Sequence, residues 1–171
     1  MNASTLKPDV SFTVEGITIH GHSCILMNRS DYFKAMFSGF WKERIGGNVT
    51  IEETSPEAFQ AVILYLYTGN TNVVTDDVVL DLLGLADQYL VGDLYRYCVH
   101  FMESNLGNGN AVEWFLWSHC NSRDGLRETC KKYLVENYDA IKEEYPETVD
   151  QITNGDLLVE LSDAVASLVP L

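Results

Sequence analysis

Apolar and polar side chains alternate in two short stretches near the start of the chain. The apolar positions are Val10, Phe12 and Val14 in the first stretch and Ile17 and Ile19 in the second. Strict alternation of this kind is typical of strands that bury one face. The stretches are separated by a Glu-Gly pair that suits a tight turn, so they are predicted to form a hairpin. A shorter stretch around residues 49–51 repeats the pattern and predicts a third strand.

The spacing of apolar residues becomes helical between the second and third predicted strands. Phe33, Met36 and Phe37 recur at intervals of three and four residues, which places them on one buried face of a helix. Ser30 precedes them at an N-cap position, where a hydroxyl accepts a hydrogen bond from a free amide of the first turn. A compact apolar run from Cys24 to Leu26 comes just before this cap. The pattern predicts a short helix followed by a capped second helix.

Two further helices are predicted after the third strand. Ser55 and Pro56 have the residue types that favour the N-cap and the first helical position, and Gly69 has the type that ends a helix. Thr75 and the two aspartates after it are expected to open the next helix. That helix is apolar nearly all round, which predicts that it is buried.

The clearest boundary in the chain is the turn-forming run from Leu106 to Gly109. Asn110 and Glu113 follow it with the spacing of a capping box. Residues beyond this point have helical spacing, and residues 139–171 are predicted to be helical in pieces. The bulky residues of this part that suggest buried helix faces are Trp114, Phe115, Trp117, Leu126, Cys130, Tyr133, Leu134, Leu157, Leu158 and Leu161.

Composition and charge narrow the classes of partner. The chain has 171 residues, of which 46% are hydrophobic, so it can bury a core without disulfides. A formal net charge of −14 repels nucleic acid and anionic membranes and favours a basic protein partner. Neither an export leader nor a membrane-length apolar run is apparent, which predicts a cytoplasmic or nuclear protein. The four cysteines lack paired spacing and are predicted to be free thiols.

The sequence contains no recognisable catalytic motif around its histidines. His20 and His22 are placed to offer two metal ligands from a strand edge, but the spacing suggests no third or fourth ligand. His119 and Cys120 are neighbours on a predicted helix and therefore point about 100° apart, which does not suit a base and its nucleophile. The sequence predicts a protein that is not an enzyme and that uses no cofactor or metal.

The chain resembles BTB/POZ domains in a specific run of residues. This run consists of Asp9-Val10, His22, Leu26, Ser30, Tyr32-Phe33 and Met36-Phe37. The resemblance continues to residue 106 and implies an α/β (α+β) fold with a small three-stranded sheet packed on a helical cluster. It also implies two domains, a BTB/POZ domain at 1–107 and an all-helical extension at 108–171 that is similar to part of a BACK region, including the helical pair called the 3-box.

The resemblance also implies a partner. BTB adaptors that bind cullin-3 carry a hydrophobic residue, any residue and an acid after the Met-Phe pair, and Trp41 and Glu43 match this pattern. Trp41 is then expected to enter an apolar groove of cullin-3 and Glu43 to accept hydrogen bonds from it, with Phe40, Tyr89 and Leu90 in the same partner surface. The alternative is that Trp41 is a core residue and Glu43 is solvated.

The predicted function is that of a substrate adaptor for a cullin-3 RING ubiquitin ligase, with the substrate held by a domain outside these residues. One alternative is a BTB homodimer that recruits a transcriptional corepressor through an acidic and a basic residue. Asp9 matches the acidic member, but Ser23 follows His22 where the basic member is expected. The residues before Asp9 leave no room for the long leading helix of BTB dimers, so a monomer or weak dimer is predicted. An oligomerisation module without a ligase role is the third possibility, and the helical tail fits it poorly.

Overall fold

The computed structural model describes residues 7–38, 48–150, 152, 159 and 161. Its sheet has the order β2-β1-β3, with β1 (Val10–Val14) in the centre. Strand β2 (Ile17–Gly21) pairs with β1 in antiparallel fashion and β3 (Asn48–Ile51) pairs with it in parallel. Parallel pairing requires a crossover connection, and helices lie in this connection. The predicted hairpin and third strand are both confirmed.

The hairpin turn shows why the Glu-Gly pair is suited to this position. Glu15 has φ 46° and Gly16 has φ 81°, so both turn residues adopt the left-handed conformation of a type I′ turn. The inward side chains of the central strand are almost fully buried, with Phe12 at 0% exposure. The Phe12 ring centroid lies 5.8 Å from that of Phe33 and 5.1 Å from that of Phe59. The alternating pattern therefore predicted correctly which face of β1 meets the helices.

Backbone contacts divide the chain into a first unit, Met1–Val99, and a second unit, His100–Leu171. The helices of the first unit are α1 (Ser23–Arg29), α2 (Asp31–Phe37), α3 (Pro56–Thr68), α4 (Val79–Gln88) and the first part of α5 (Gly92–Asn105), with a 3-10 turn at Thr71–Val73. The buried residues of α4 include Leu82, Leu83 and Ala86, which confirms that this helix lies in the core.

The predicted helix ends are confirmed for α2 and α3. The Ser30 hydroxyl accepts a hydrogen bond from the Phe33 amide over 3.2 Å, and the Ser55 hydroxyl accepts one from the Ala58 amide over 3.3 Å. Gly69 ends α3 with φ 67°, a conformation that is unfavourable for residues with a Cβ atom. These positions were predictable because each cap depends on residues within a few positions along the chain.

The predicted start of α4 is wrong by four residues. The helix begins at Val79, and its N-cap residue Val78 makes no side-chain cap. Thr75 instead contributes its carbonyl group, which accepts hydrogen bonds from the amides of Val78 and Val79 over 3.2 and 2.9 Å. The threonine therefore begins the turn that leads into the helix and does not cap the helix itself.

The second unit contains α6 (Ala111–Cys120), α7 (Asp124–Glu136), α8 (Tyr138–Glu144) and α9 (Pro146–Val149). Its buried side chains are Met102, Ala111, Val112, Trp114, Phe115, Ser118, Leu126, Cys130, Leu134, Ile141, Ile152 and Leu161. The helical character predicted for this part is confirmed where the structure describes it. Leu157 and Leu158 lie outside the described residues.

The predicted capping box at Asn110 is wrong. Asn110 occupies the N-cap position of α6, but its side chain makes no hydrogen bond to that helix. Its Oδ1 atom accepts from the Gly107 amide over 2.8 Å, and its Nδ2 atom donates to the Asn105 carbonyl over 3.0 Å. The side chain thus closes the preceding turn, because both of its hydrogen-bonding atoms are already used there.

The fold class is confirmed as a small three-stranded sheet with a helical cluster and a helical extension. The predicted domain limits, 1–107 and 108–171, stay a prediction. Over the described part of the chain, every helix is too short or too polar to cross a membrane.

Candidate protein-interaction site

The turn between α4 and α5 presents an exposed leucine on an unusual backbone. The Leu90 amide donates to the Asp87 carbonyl over 3.1 Å, and the Val91 amide donates to the Ala86 carbonyl over 2.8 Å. This pair of bonds is a Schellman motif, in which the residue at C′ adopts the left-handed conformation and is usually glycine. Here that residue is leucine, with φ 54° and 62% exposure. The chain keeps a strained, outward-facing apolar side chain where glycine would be favoured.

Ser30 fixes the position of this turn. Its hydroxyl donates to the Tyr89 carbonyl over 2.6 Å while it accepts from the Phe33 amide over 3.2 Å. Ser30 is 4% exposed, so neither bond competes with bulk water. One buried hydroxyl therefore caps α2 and joins the start of α2 to the end of α4.

The ring of Tyr89 belongs to the core. It stacks on Phe33 with ring centroids 5.0 Å apart, and it meets Tyr32 and Phe59 edge to face at 5.0 and 5.8 Å. The side chain is 1% exposed, and burial raises the pKa of its hydroxyl well above the usual value. Tyr89 anchors the turn from inside, while Leu90 is the residue that reaches solvent.

The other predicted partner residues, Phe40, Trp41 and Glu43, lie outside the described residues. The structure describes the chain up to Ser38, one residue after α2 ends, and again from Asn48, where β3 begins. It brings Tyr89 and Leu90 to the α2 side of the first unit through the Tyr89 ring contacts. The assignment of Phe40, Trp41, Glu43 and Leu90 to a partner surface stays a prediction, whereas the side chain of Tyr89 is 1% exposed and lies in the core.

Asp9 and Ser23 form a second polar arrangement at the start of α1. The Asp9 carboxylate accepts from the Ser23 amide over 2.7 Å and from the Ser23 hydroxyl over 2.6 Å. These bonds, the hydroxyl bond foremost, hold the pKa of Asp9 below its usual value of 3.8. Because His22 at the N-cap position makes no side-chain cap, the carboxylate of Asp9, just before β1, caps α1.

His22 is held by a tyrosine from α3. Its backbone amide donates to the Tyr67 hydroxyl over 2.6 Å, and its Nδ1 atom lies 2.7 Å from the same oxygen. A phenol that accepts from the amide can donate its own proton to Nδ1, which leaves the ring proton on Nε2. The histidine therefore joins β2 and α1 to the end of α3. Among the described residues, no group of three His, Cys, Asp or Glu side chains is arranged to hold a metal.

A family model of the BTB/POZ domain matches residues 1–106. The chain belongs to the BTB/POZ family. Its similar proteins include the ARM repeat protein interacting with ABF2 from Arabidopsis thaliana, which is 31% identical over 141 residues. Armadillo BTB Arabidopsis protein 1 is 32% identical over 130 residues, and human Kelch-like protein 28 is 31% identical over 156 residues.

These matches cover most of the BTB chain but a small part of each relative. They include 82%, 76% and 88% of this chain, against 20%, 18% and 27% of the respective relatives. The chain thus corresponds to about a quarter or less of those proteins. The chain is a protein-interaction module, because it belongs to the BTB/POZ family and is similar to Armadillo-BTB and Kelch-like proteins.

Two contacts of this BTB domain could not be found by reading the sequence. Ser30 was predicted as a helix cap, but its bond to the Tyr89 carbonyl crosses 59 positions of the chain. Tyr67 lies in the helix predicted between Ser55 and Gly69, but its bond to His22 crosses 45 positions. Neither contact leaves a local signal, because the residue types at both ends also fit an ordinary helix.

Proposed function

We propose that this BTB chain is a substrate adaptor for a cullin-3 RING ubiquitin ligase and has no reaction of its own. The observation that carries the proposal is Leu90, an exposed leucine in a strained conformation beside α2. Apolar side chains that project from a rigid turn are suited to fill a pocket on a partner. Similarity to Kelch-like protein 28, together with the resemblance of Trp41 and Glu43 to the cullin-binding pattern, supports the same partner.

The rigidity of the turn is part of the argument. A non-glycine residue in the left-handed region costs about 1–2 kcal/mol, which other contacts must offset. The Tyr89 ring packing and the Ser30 bond supply such contacts. Leu90 is consequently presented in one orientation before a partner arrives, so little conformational entropy is lost on binding.

The proposal extends to parts of the assembly beyond the described residues. The substrate is bound by a domain outside this chain, and residues 108–171 act as a partial BACK extension that adds to the cullin contact. The adaptor works as a monomer or weak dimer in the cytoplasm or nucleus. Ubiquitin transfer is carried out by the ligase and its conjugating enzyme, and the adaptor supplies proximity.

Calorimetric titration with the N-terminal domain of cullin-3 tests the proposal. Leu90→Ala is expected to weaken binding by about 1–2 kcal/mol, or roughly tenfold. Leu64→Ala is the matched control, because Leu64 is a 50% exposed leucine on α3. The control should bind within about 0.5 kcal/mol of the parent chain. Equal affinity of Leu90→Ala and the parent would remove the structural support for the proposal.

Trp41 and Glu43 are tested in the same titration. Trp41→Ala is expected to cost about 2 kcal/mol or more of binding while the melting temperature changes little. Glu43→Lys places the wrong charge against the partner's donors and should weaken binding without a change in stability above about 0.5 kcal/mol. If Trp41→Ala softens the fold and leaves binding intact, Trp41 is a core residue.

The corepressor alternative is less well supported. It requires the Asp9 carboxylate to act with a basic residue in the position after His22. That position holds Ser23, which donates two hydrogen bonds to Asp9. The Asp9 carboxylate is therefore already bound by a residue of the same chain. An oligomerisation module has no observation in its favour among the described residues.

A further inference from the structure

A groove runs across one side of the first unit, between the end of α1, the end of α3 and the α4–α5 turn. One section has a volume of about 530 Å³, which is within the range of ligand-binding clefts, and the other has a smaller volume of about 260 Å³. Asn28 and Arg29 line both sections and so mark their junction. All lining residues belong to the first unit.

The charge of the groove is opposite to that of the whole chain. Arg29 is exposed, and its guanidinium has no hydrogen-bond or ion-pair partner among residues 7–38 and 48–150. Asp93, the acidic residue that lines the groove, is already paired with Arg96. An uncompensated positive charge therefore lies in the groove of a chain whose net charge is −14. The complementary ligand group is an anion.

The surroundings of Arg29 show what kind of anion fits. Tyr67 and Leu66 line one section and Leu90 and Val91 line the other, so apolar surface lies on both sides of the guanidinium. Tyr67 is 37% exposed and Leu90 is 62% exposed, which leaves this surface open to a partner. A single guanidinium fork matches a carboxylate with two parallel hydrogen bonds, whereas recognition of phosphorylated motifs typically uses arginine clusters.

We propose that this groove binds a segment of a partner protein in which a glutamate or aspartate is followed by an aliphatic residue. The carboxylate pairs with Arg29 at the junction, and the aliphatic side chain lies against Leu90 and Val91. The carboxamide of Asn28 contributes a further donor at the same place. The inference goes beyond the adaptor function, since it assigns a second binding surface that shares only Leu90 with the predicted cullin contact.

The test is a nuclear magnetic resonance titration of the isotope-labelled chain with acetyl-Glu-Leu-amide. The expected result is a saturable shift of the groove amides of Gly69, Leu90, Val91 and Gly92, with a dissociation constant on the order of 1 mM for so small a ligand. Acetyl-Gln-Leu-amide and acetyl-Glu-Ser-amide test the carboxylate and the aliphatic group separately. Each should bind about tenfold more weakly or not at all. No cullin is present, so the outcome does not depend on the proposed adaptor function.

Two variants with the same change in net charge complete the experiment. Arg29→Gln should weaken acetyl-Glu-Leu-amide about tenfold or more, because it removes the charged fork. Lys34→Gln, at an exposed position of α2, should change the affinity by less than about twofold, because exposed charges outside the groove are screened. Equal binding of the Glu and Gln ligands, or shifts confined to other amides, would overturn the proposal. Shifts of the groove amides with protein concentration alone would assign the groove to a second copy of the chain, which would also overturn it.

Discussion

Replacement of Leu90 by glycine and by alanine separates the backbone of the α4–α5 turn from its side chain. Both variants remove the leucine side chain, but only glycine adopts φ 54° without steric cost. The left-handed conformation costs a residue with a Cβ about 1–2 kcal/mol, and glycine gives back about 0.5–1 kcal/mol through its greater freedom in the unfolded chain. The Gly variant should therefore be more stable than the Ala variant by about 0.5–1 kcal/mol.

The comparison with the parent chain depends on how much of Leu90 is buried. The side chain is 62% exposed, so a little over a third of it is removed from water. Full burial of leucine is worth about 1.5–3 kcal/mol, so this part contributes roughly 0.5–1 kcal/mol. Leu90→Ala should lose this amount, while Leu90→Gly should remain close to the parent because the lost contact and the relieved strain nearly cancel.

Urea denaturation of the three chains gives the free energies of unfolding, and titration with the cullin-3 domain gives the affinities. Binding should fall equally in both variants, since they lack the same side chain, whereas stability should rank glycine above alanine. An alanine variant at least as stable as the glycine variant would show that residue 90 is not left-handed. Unequal binding losses would show that backbone geometry, and not the leucine side chain, determines the affinity.

Three further outcomes are expected. Ser30→Ala should lower the free energy of unfolding by about 2 kcal/mol, and Ser55→Ala by about 1 kcal/mol. The loss is larger at Ser30 because its replacement also removes the donor of the Tyr89 carbonyl. Equal urea midpoints of the two variants would refute this. Asp9→Ala should cost about 0.5–1 kcal/mol at pH 7. Because the pKa of Asp9 is lowered in the folded chain, its contribution to stability is complete above the ordinary carboxyl pKa and is lost as the pH falls through the folded pKa. A loss of stability in Asp9→Ala that persists at low pH would contradict the role of Ser23. In thiol labelling of the native chain, two cysteines should react quickly and two only on unfolding, since burial raises the pKa of each slow thiol to about 12. The fast pair is Cys24 and Cys120, and the slow pair is Cys98 and Cys130.

The elements that the sequence predicted correctly are those set by neighbours along the chain. The hairpin follows from alternation and from a turn pair that tolerates positive φ, and the caps at Ser30 and Ser55 follow from a hydroxyl three residues before an amide. Of the two errors in helix starts, Asn110 bonds to a different neighbour through its side chain, and Thr75 takes part through its backbone carbonyl group. A polar side chain near a helix start has several amides and carbonyls within reach, and its sequence position alone does not choose among them.

The sequence by itself thus determined the family, the order of strands and helices along the chain and the buried face of β1, because periodicity and capping act over a few residues. In β2 the same pattern was only half right, since Ile19 is buried but Ile17 is 46% exposed. Only the tertiary structure decided that Ser30 bonds to the Tyr89 carbonyl, that Asp9 caps α1 and that Arg29 lines a groove. These features join residues that are 59 and 14 positions apart, or surfaces from three separate elements. The left-handed Leu90 belongs with them. The left-handed backbone at that position favours glycine, and packing of the neighbouring Tyr89 ring against Phe33 and Phe59 holds the strained turn in place.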